Sequence, residues 1–527
     1  MKRRSFSRTR PSADPEHERG SATMTVLLLL VVFSGLCLAM LQASAVHLKI
    51  NGVRRFSGLL DYASENGIKR AWSDLASWIG AEALLAPLEE VRVDAMRTSG
   101  GEAFPALLDA ALGSPFPRSL EESFEGLTWT SRAECAFGGL EDRGGYLRIT
   151  AALRIEARGG LDGIRSRRVS VLEGTLGLLA GRLPLAAVPF YIRGEMSAGE
   201  RSAFLAENAI RLPPKPGMPI APSLVVSPSG VLPPDAGSLA AEALNIGVFR
   251  PGDLSPARLR QALGLEASTD AVPDGVYLIR NDLGLGGVFV QGDLDEIVLA
   301  VREDAQIAVF RAAGGLEWRL EWSPARSRTE FSSPDGTVAS DLVPLPILFV
   351  NGAIRALGGG AVGPDGRVEM AADGETPAVL DGVGLTIVST AEVTIASHLI
   401  LEGVRWQNGV PYAKNSTAQL VIYASGQDIV SGEATPGRIA VAADAPDSLK
   451  VQATLTAAGS GFEIEGAGKS VELMGGLQAG GYRGNGSGLT LFRDERAAAG
   501  EFPAHGPATA DPQLAVYSLR ALAWKEY

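Results

Sequence analysis

The chain has 527 residues, 46% of them hydrophobic, and its 48 Lys and Arg against 60 Asp and Glu give a formal net charge of -12. That apolar share excludes a disordered chain and allows two or three buried cores, while 63 glycines and only 6% aromatic residues suit tightly turning β structure better than helical bundles. The acidic balance argues against general nucleic-acid binding, all the more because the cations are concentrated at the N-terminus.

Within the first twenty positions Lys2, Arg3, Arg4, Arg8, Arg10 and Arg19 outnumber Asp14, Glu16 and Glu18. From Ser21 to Val46 no residue is charged. This apolar run exceeds the ~20 residues that a helix needs to cross a bilayer. Six cations precede it, and only Lys49, Arg54 and Arg55 follow closely, so the charge asymmetry favours a cytoplasmic N-terminus with the bulk of the chain on the other side. The segment is long for a cleaved secretory signal, although Ala43-Ser44-Ala45 has the small residues of such a cleavage site. Beyond it, Phe56, Leu59, Leu60, Ala63, Ile68, Ala71, Trp72, Leu75, Trp78 and Ile79 recur at three- and four-residue steps. The spacing predicts an amphipathic continuation of the helix, bounded by Gly80 and Pro87.

Residues 87–211 read as mixed α/β. Tyr146, Arg148 and Thr150 alternate with Leu147, Ile149 and Ala151 to predict one strand, and residues 168–172 predict another. A proline-rich stretch, 212–236, is the best linker candidate. Ser255-Pro256 offers a helix cap followed by the residue favoured at the first helical position. Residues 237–340 read as β-rich. From 341 to 505, short β-branched runs recur every few residues: 347–350, 385–388, 393–395, 399–401, 420–423, 449–455, 462–464, 471–474 and 489–492. Gaps this short leave no room for helical crossovers, so the expectation is a parallel β-solenoid, with an antiparallel sandwich as the alternative. Gly287-Val288-Phe289-Val290-Gln291-Gly292 is echoed by Ile347-Leu348-Phe349-Val350-Asn351-Gly352. Residues 506–527 read as a C-terminal tail.

The junction Glu18-Arg19-Gly20-Ser21, a basic leader ending in Gly before a long apolar helix, resembles the class III leader of type IV prepilins. Tyr62 to Leu75 includes Glu65, Gly67, Ile68, Ala71 and Leu75 at the spacing of the Ala-Glu-x-Gly-Ile-x-x-Ala-x-x-x-Leu signature of PilX-like proteins. Near the other end, Phe349-Val350-Asn351-Gly352, Gly475-Gly476-Leu477-Gln478, residues 491–496, Phe502-Pro503 and Trp524 are similar to looser motifs of the same family. The resemblance covers roughly residues 15–80 and 345–527. It implies a leader (1–20) cut after Gly20 by prepilin peptidase, with Ser21 as the new, methylated N-terminus of a transmembrane and pilin-like helix (21–86). Thr25, Val26, Leu27, Leu28, Leu29, Leu30, Val31, Val32, Phe33, Leu36, Leu38 and Leu41 would then pack in the inner membrane or against other pilins and the filament assembly platform. Thr25 stands where major pilins carry a Glu, which implies a minor pilin or GspK-like tip pseudopilin of a type IV pilus or a type II secretion-type filament.

Catalytic patterns are weak. His17, His47, His398 and His505 show no metal-ligand spacing, and Cys37 and Cys135 are isolated, so neither a metal nor a cofactor is expected. Gly466-Ala467-Gly468-Lys469-Ser470 mimics the end of a P-loop but has Glu463 where the first Gly belongs. Ser487 lacks the outer glycines of a nucleophile elbow, which are Asn485 and Leu489 here. The expectation is a non-enzymatic assembly subunit. Two alternatives stay open: a membrane-tethered solenoid that acts as an adhesin or binds carbohydrate, and a β-helix polysaccharide enzyme drawing on Asp428, Asp444, Asp447, Asp494 or Glu495.

Overall fold

A computed structural model describes residues 15–81, 86–112, 118–124, 127–161, 167–184, 190–193, 209–211, 225–227, 236–281, 284–407, 409–413, 416–492, 494, 496, 501–502, 506, 508–509 and 511–526. The chain is mainly β, with one long apolar helix at its N-terminus. Helix α1 spans Pro15–Ala81 without a break. Its lower part is uncovered, and from Leu60 onward it lies against a six-stranded antiparallel sheet.

That sheet runs in the order Ala86–Pro87, Gln513–Glu526, Arg167–Gly181, Tyr146–Leu161, Leu127–Asp142, Arg118–Phe124. The expected alternation holds along Tyr146–Leu161. Leu147, Ile149, Ala151, Leu153, Ile155 and Ala157 point into the core, while Thr150, Ala152 and Arg154 face outward. Two short helices, α2 (Glu90–Ser99) and α3 (Phe104–Leu112), add Val93, Met96, Phe104 and Leu107 to the same core as Ile68 of α1. The stretch read as a C-terminal tail is corrected here. Within it, the fourteen residues Gln513–Glu526 form a strand that pairs with Arg167–Gly181 from Gly181↔Gln513 to Ser170↔Glu526. The reading failed because Gln513–Glu526 lies too far along the chain from its partner for any local pattern to reveal the pairing.

Beyond this sheet the chain passes back and forth between two eleven-stranded sheets that enclose the largest core. In the first, Gly284–Gln291, Ile347–Asn351, Gly384–Ser389, Gln419–Ala424, Ser448–Ala457, Ser470–Ala479 and Gly488–Phe492 pair in parallel, each with the next. In the second, Glu296–Arg302, Ile354–Val362, Glu392–Ile395, Arg438–Val441, Gly461–Ile464 and Tyr482–Arg483 do the same. The sequence echo falls on adjacent strands in register, Phe289↔Phe349 and Gln291↔Asn351, with the two phenyl rings stacked 5.8 Å apart. Gly284–Gln291 and Ile347–Asn351 are nearly continuous apolar runs because both of their faces are covered. Leu348 and Val350 enter the main core, while Ile347 and Phe349 meet α4 (Ala236–Ala243) and α5 (Pro256–Ala262) on the outside. Ser255 caps α5 as expected, its Oγ accepting from Arg258 N–H at 3.3 Å.

Three expected boundaries do not follow the sheets. The body reaches back across position 340, since Gly284–Gln291 and Glu296–Arg302 belong to the same sheets as the later strands. Phe190–Arg193 and Ala209–Arg211, from the region read as mixed, pair with the body at Leu477 and Leu491. Most of the expected linker lies outside the described residues, but Val225–Ser227 within it pairs with Phe190–Arg193. The apolar run 399–401 forms isolated bridges rather than a strand.

Candidate membrane and assembly helix

From Met24 to Val53 the large apolar side chains of α1 are uncovered, with exposures from 42% at Ile50 to 73% at Met24 and Leu48. This is a helix long and apolar enough to cross a membrane. Met24 to Val46 spans roughly 35 Å of helix at ~1.5 Å per residue, which matches a hydrocarbon core of ~30 Å with slight tilt. Thr25, Val26, Leu27, Leu28, Leu29, Leu30, Val31, Val32, Phe33, Leu36, Leu38 and Leu41 all lie on this uncovered stretch. Gly20 and Ser21 sit within α1, in the turns that follow its start at Pro15. A protease that reads an extended strand at that bond would first have to unwind these turns.

The family-like signature lies higher, where α1 meets the sheet. Leu60, Ala63, Ser64, Gly67 and Ile68 are buried at three- and four-residue steps and form the helix face that packs inward. Gly67 is a contact point: a Cβ there would come within 2.9 Å of Ala157 Cβ and 3.2 Å of the Trp129 ring. Ile68 enters the core with Ala71 packed beside it, whereas Glu65 faces outward and pairs with Lys69 at 2.6 Å, one turn along. The Leu75 side chain, like those of Trp78 and Ile79, lies outside the described residues.

Reciprocal features on the sheet went unnoticed in the sequence. At Gly159 a Cβ would lie 2.5 Å from Ser64 N and 2.6 Å from Leu60 O, so only glycine lets the helix approach this closely. Gly159-Gly160 inside a run of alternating residues was the available signal. Two polar contacts flank it: Arg168 Nε donates to Asp61 Oδ1 at 2.7 Å, and the Ser64 and Ser170 hydroxyls meet at 2.8 Å. The Arg168–Asp61 pair is solvent-exposed and contributes at most about 1 kcal/mol.

Several groups that could carry chemistry have structural partners. Lys469 is buried, its ammonium donating to Ala445 O, while Ser487 Oγ accepts from Lys469 N–H at 2.9 Å and donates to Gly466 O at 3.1 Å. The P-loop-like and elbow-like segments thus brace each other as one pair of turns. Asp428 Oδ1 caps its own turn by accepting from Val430 and Ser431 N–H, and Asp494 is paired with the buried Arg496 at 2.7 Å. Asp444 lines an open cleft with Glu392 and Glu465, Asp447 is fully exposed, and Glu495 lies outside the described residues. Burial pushes the Cys135 thiol up to about 12, so it is protonated and a poor nucleophile at neutral pH. Among the described residues, no three His, Cys, Asp or Glu side chains are grouped to hold a metal ion. Comparison with protein-family models, with curated proteins and with solved structures finds no match to this chain.

Proposed function

We propose that the chain is a single-pass inner-membrane protein and a minor pilin or pseudopilin, acting non-enzymatically in the assembly, priming or tip of a type IV pilus or type II secretion-type filament. The observation that carries this reading is the single unbroken helix. Its lower stretch offers a wholly uncovered apolar surface to lipid or to neighbouring helices, and its upper stretch is fixed to an antiparallel sheet. Exchange of lipid contacts for helix contacts has little net hydrophobic cost, so such a helix can leave the bilayer for a bundle when packing is close. The N-terminus lies in the cytoplasm on this reading, and the body lies in the periplasm or outside the cell. We read the body as a parallel β-solenoid, a view supported by the alternation of the chain between two sheets and by parallel pairing from each pass to the next. Thr25 and the bulk of the body favour a position at an end of the filament over one in its crowded shaft.

The deciding experiment is N-terminal sequencing of the membrane-extracted protein from cells with and without prepilin peptidase. A mature chain beginning at Ser21 only when the peptidase is present supports the proposal. An intact leader in both strains would overturn it in favour of a membrane-tethered adhesin. A start after Ala45 would favour ordinary secretion.

A further inference from the structure

We infer that Gln452 holds one buried water molecule at the seam where the segment after the last body strand folds back onto the parallel sheet. The molecule uses a buried strand glutamine twice, Gln306 in Ala305–Ala312 of the second sheet and Gln452 in Ser448–Ala457 of the first. Gln306, fully buried, spends its whole amide: Oε1 accepts from Leu380 N–H at 2.7 Å, and Nε2 donates to Ala378 O at 2.8 Å and to Ala300 O and Ile307 O at 3.1 Å. Gln452 is equally buried, and its Oε1 accepts from Leu401 N–H at 2.7 Å. Leu401 is the bridge partner of Val379, the neighbour of Leu380, so the two glutamines clamp adjacent passes of the chain. The difference lies on the donor side, where Gln452 Nε2 is buried and has no hydrogen-bond partner among the described residues.

A buried amide N–H in that state calls for an acceptor, and the space beside it limits what the acceptor is. Gln452 borders a cavity of about 20 Å³ together with Thr454, Met474, Asp494, Arg496 and Glu501. That volume holds one water and little else. A water accepts from Nε2 and donates to an oxygen of the wall, for which the Glu501 carboxylate is the better acceptor because Asp494 already takes three Arg496 N–H groups. A cation would face the Nε2 hydrogens, and an anion would face Asp494 and Glu501, so neither suits the donor set. Arg496 is nearly fully buried and also donates to Ser416 O and Ala418 O, so the water completes a polar seam that ties the segment around Asp494 to the sheet.

The test is a crystal structure of the full-length protein in detergent, at a resolution where single ordered waters are visible. The expected result is one density peak within about 2.7–3.2 Å of Gln452 Nε2 and of at least one further protein oxygen. An empty site, or an amide turned so that Nε2 bonds a protein oxygen directly, would overturn the inference. In the Gln452→Met variant the peak should vanish while strands Ser448–Ala457 and Ser470–Ala479 keep their positions. A peak that persists unchanged there would show that another group holds it.

Discussion

The N-terminal sheet and the body solve the same problem, burying a β surface, in opposite ways. The sheet buries one face against helices and leaves part of the other in water, where Arg132–Glu134 and Lys525–Glu173 pairs decorate it beside a small cluster around Leu179 and Ala515. Its strands come from distant parts of the chain, as Leu179 meeting Ala515 illustrates. The first sheet of the body buries both faces of strands such as Ile347–Asn351, and each strand meets one from the next pass, such as Leu455 with Leu477. Stability in the sheet therefore depends on a few close approaches at a helix, whereas in the body it is spread over repeated apolar layers.

The sharpest way to break the comparison is a cavity in the body. Phe349→Ala removes a fully buried ring stacked on Phe289 and is expected to cost about 3–5 kcal/mol. Hydrogen exchange followed by mass spectrometry should show lost protection in Gly284–Gln291 and Gly384–Ser389, with Tyr146–Leu161 unchanged. If protection falls equally in both regions, they unfold as one unit and the contrast is void. Gly159→Ala tests the other side. Overpacking against the Ser64 and Leu60 backbone should cost about 1–3 kcal/mol and raise exchange in Tyr146–Leu161 while sparing the body. An unaffected Tyr146–Leu161 would mean that the helix can shift to admit a methyl group.

How much of this was legible in the sequence follows from the same contrast. The apolar stretch of α1, the alternation at 146–151 and the echo of 287–292 in 347–352 are local patterns, and each landed on its element or on adjacent paired strands. Long-range pairings were not legible. The return of Gln513–Glu526 and the capture of Phe190–Arg193 by the body depend on contacts that leave no periodic trace. Of the candidate helix positions, Gly67 and Ile68 gain a physical role in helix–sheet packing, but their counterparts Gly159 and Ser170 became visible only once the two elements were juxtaposed.

The smallest expected effect concerns acid. His398 is buried in the body, with Nδ1 accepting from Lys450 N–H at 3.1 Å, and burial, helped by the nearby Lys450 ammonium, holds its pKa below the usual value of 6.5. The unfolded chain therefore takes up a proton that the folded chain resists. Stability from this residue is intact above about pH 6.5 and is lost as pH falls from there towards the folded pKa. Asp373, whose pKa is lowered by hydrogen bonds from Glu375 and Thr376 N–H, weakens the fold only in stronger acid, below its usual 3.8. Denaturant titrations between about pH 4.5 and 7 should show a shallow slope that His398→Gln flattens. A slope unchanged in that variant would remove His398 as its source.

The position of the last strand has a consequence for how the protein is made. Arg167–Gly181 waits for a neighbour that is synthesised only after the whole body. A chain cut short anywhere in between would keep a bare sheet edge along Arg167–Gly181, open to proteases and to stray strands. Closure of the N-terminal sheet is thus a late event in synthesis, since Gln513–Glu526 covers an edge laid down more than three hundred residues earlier.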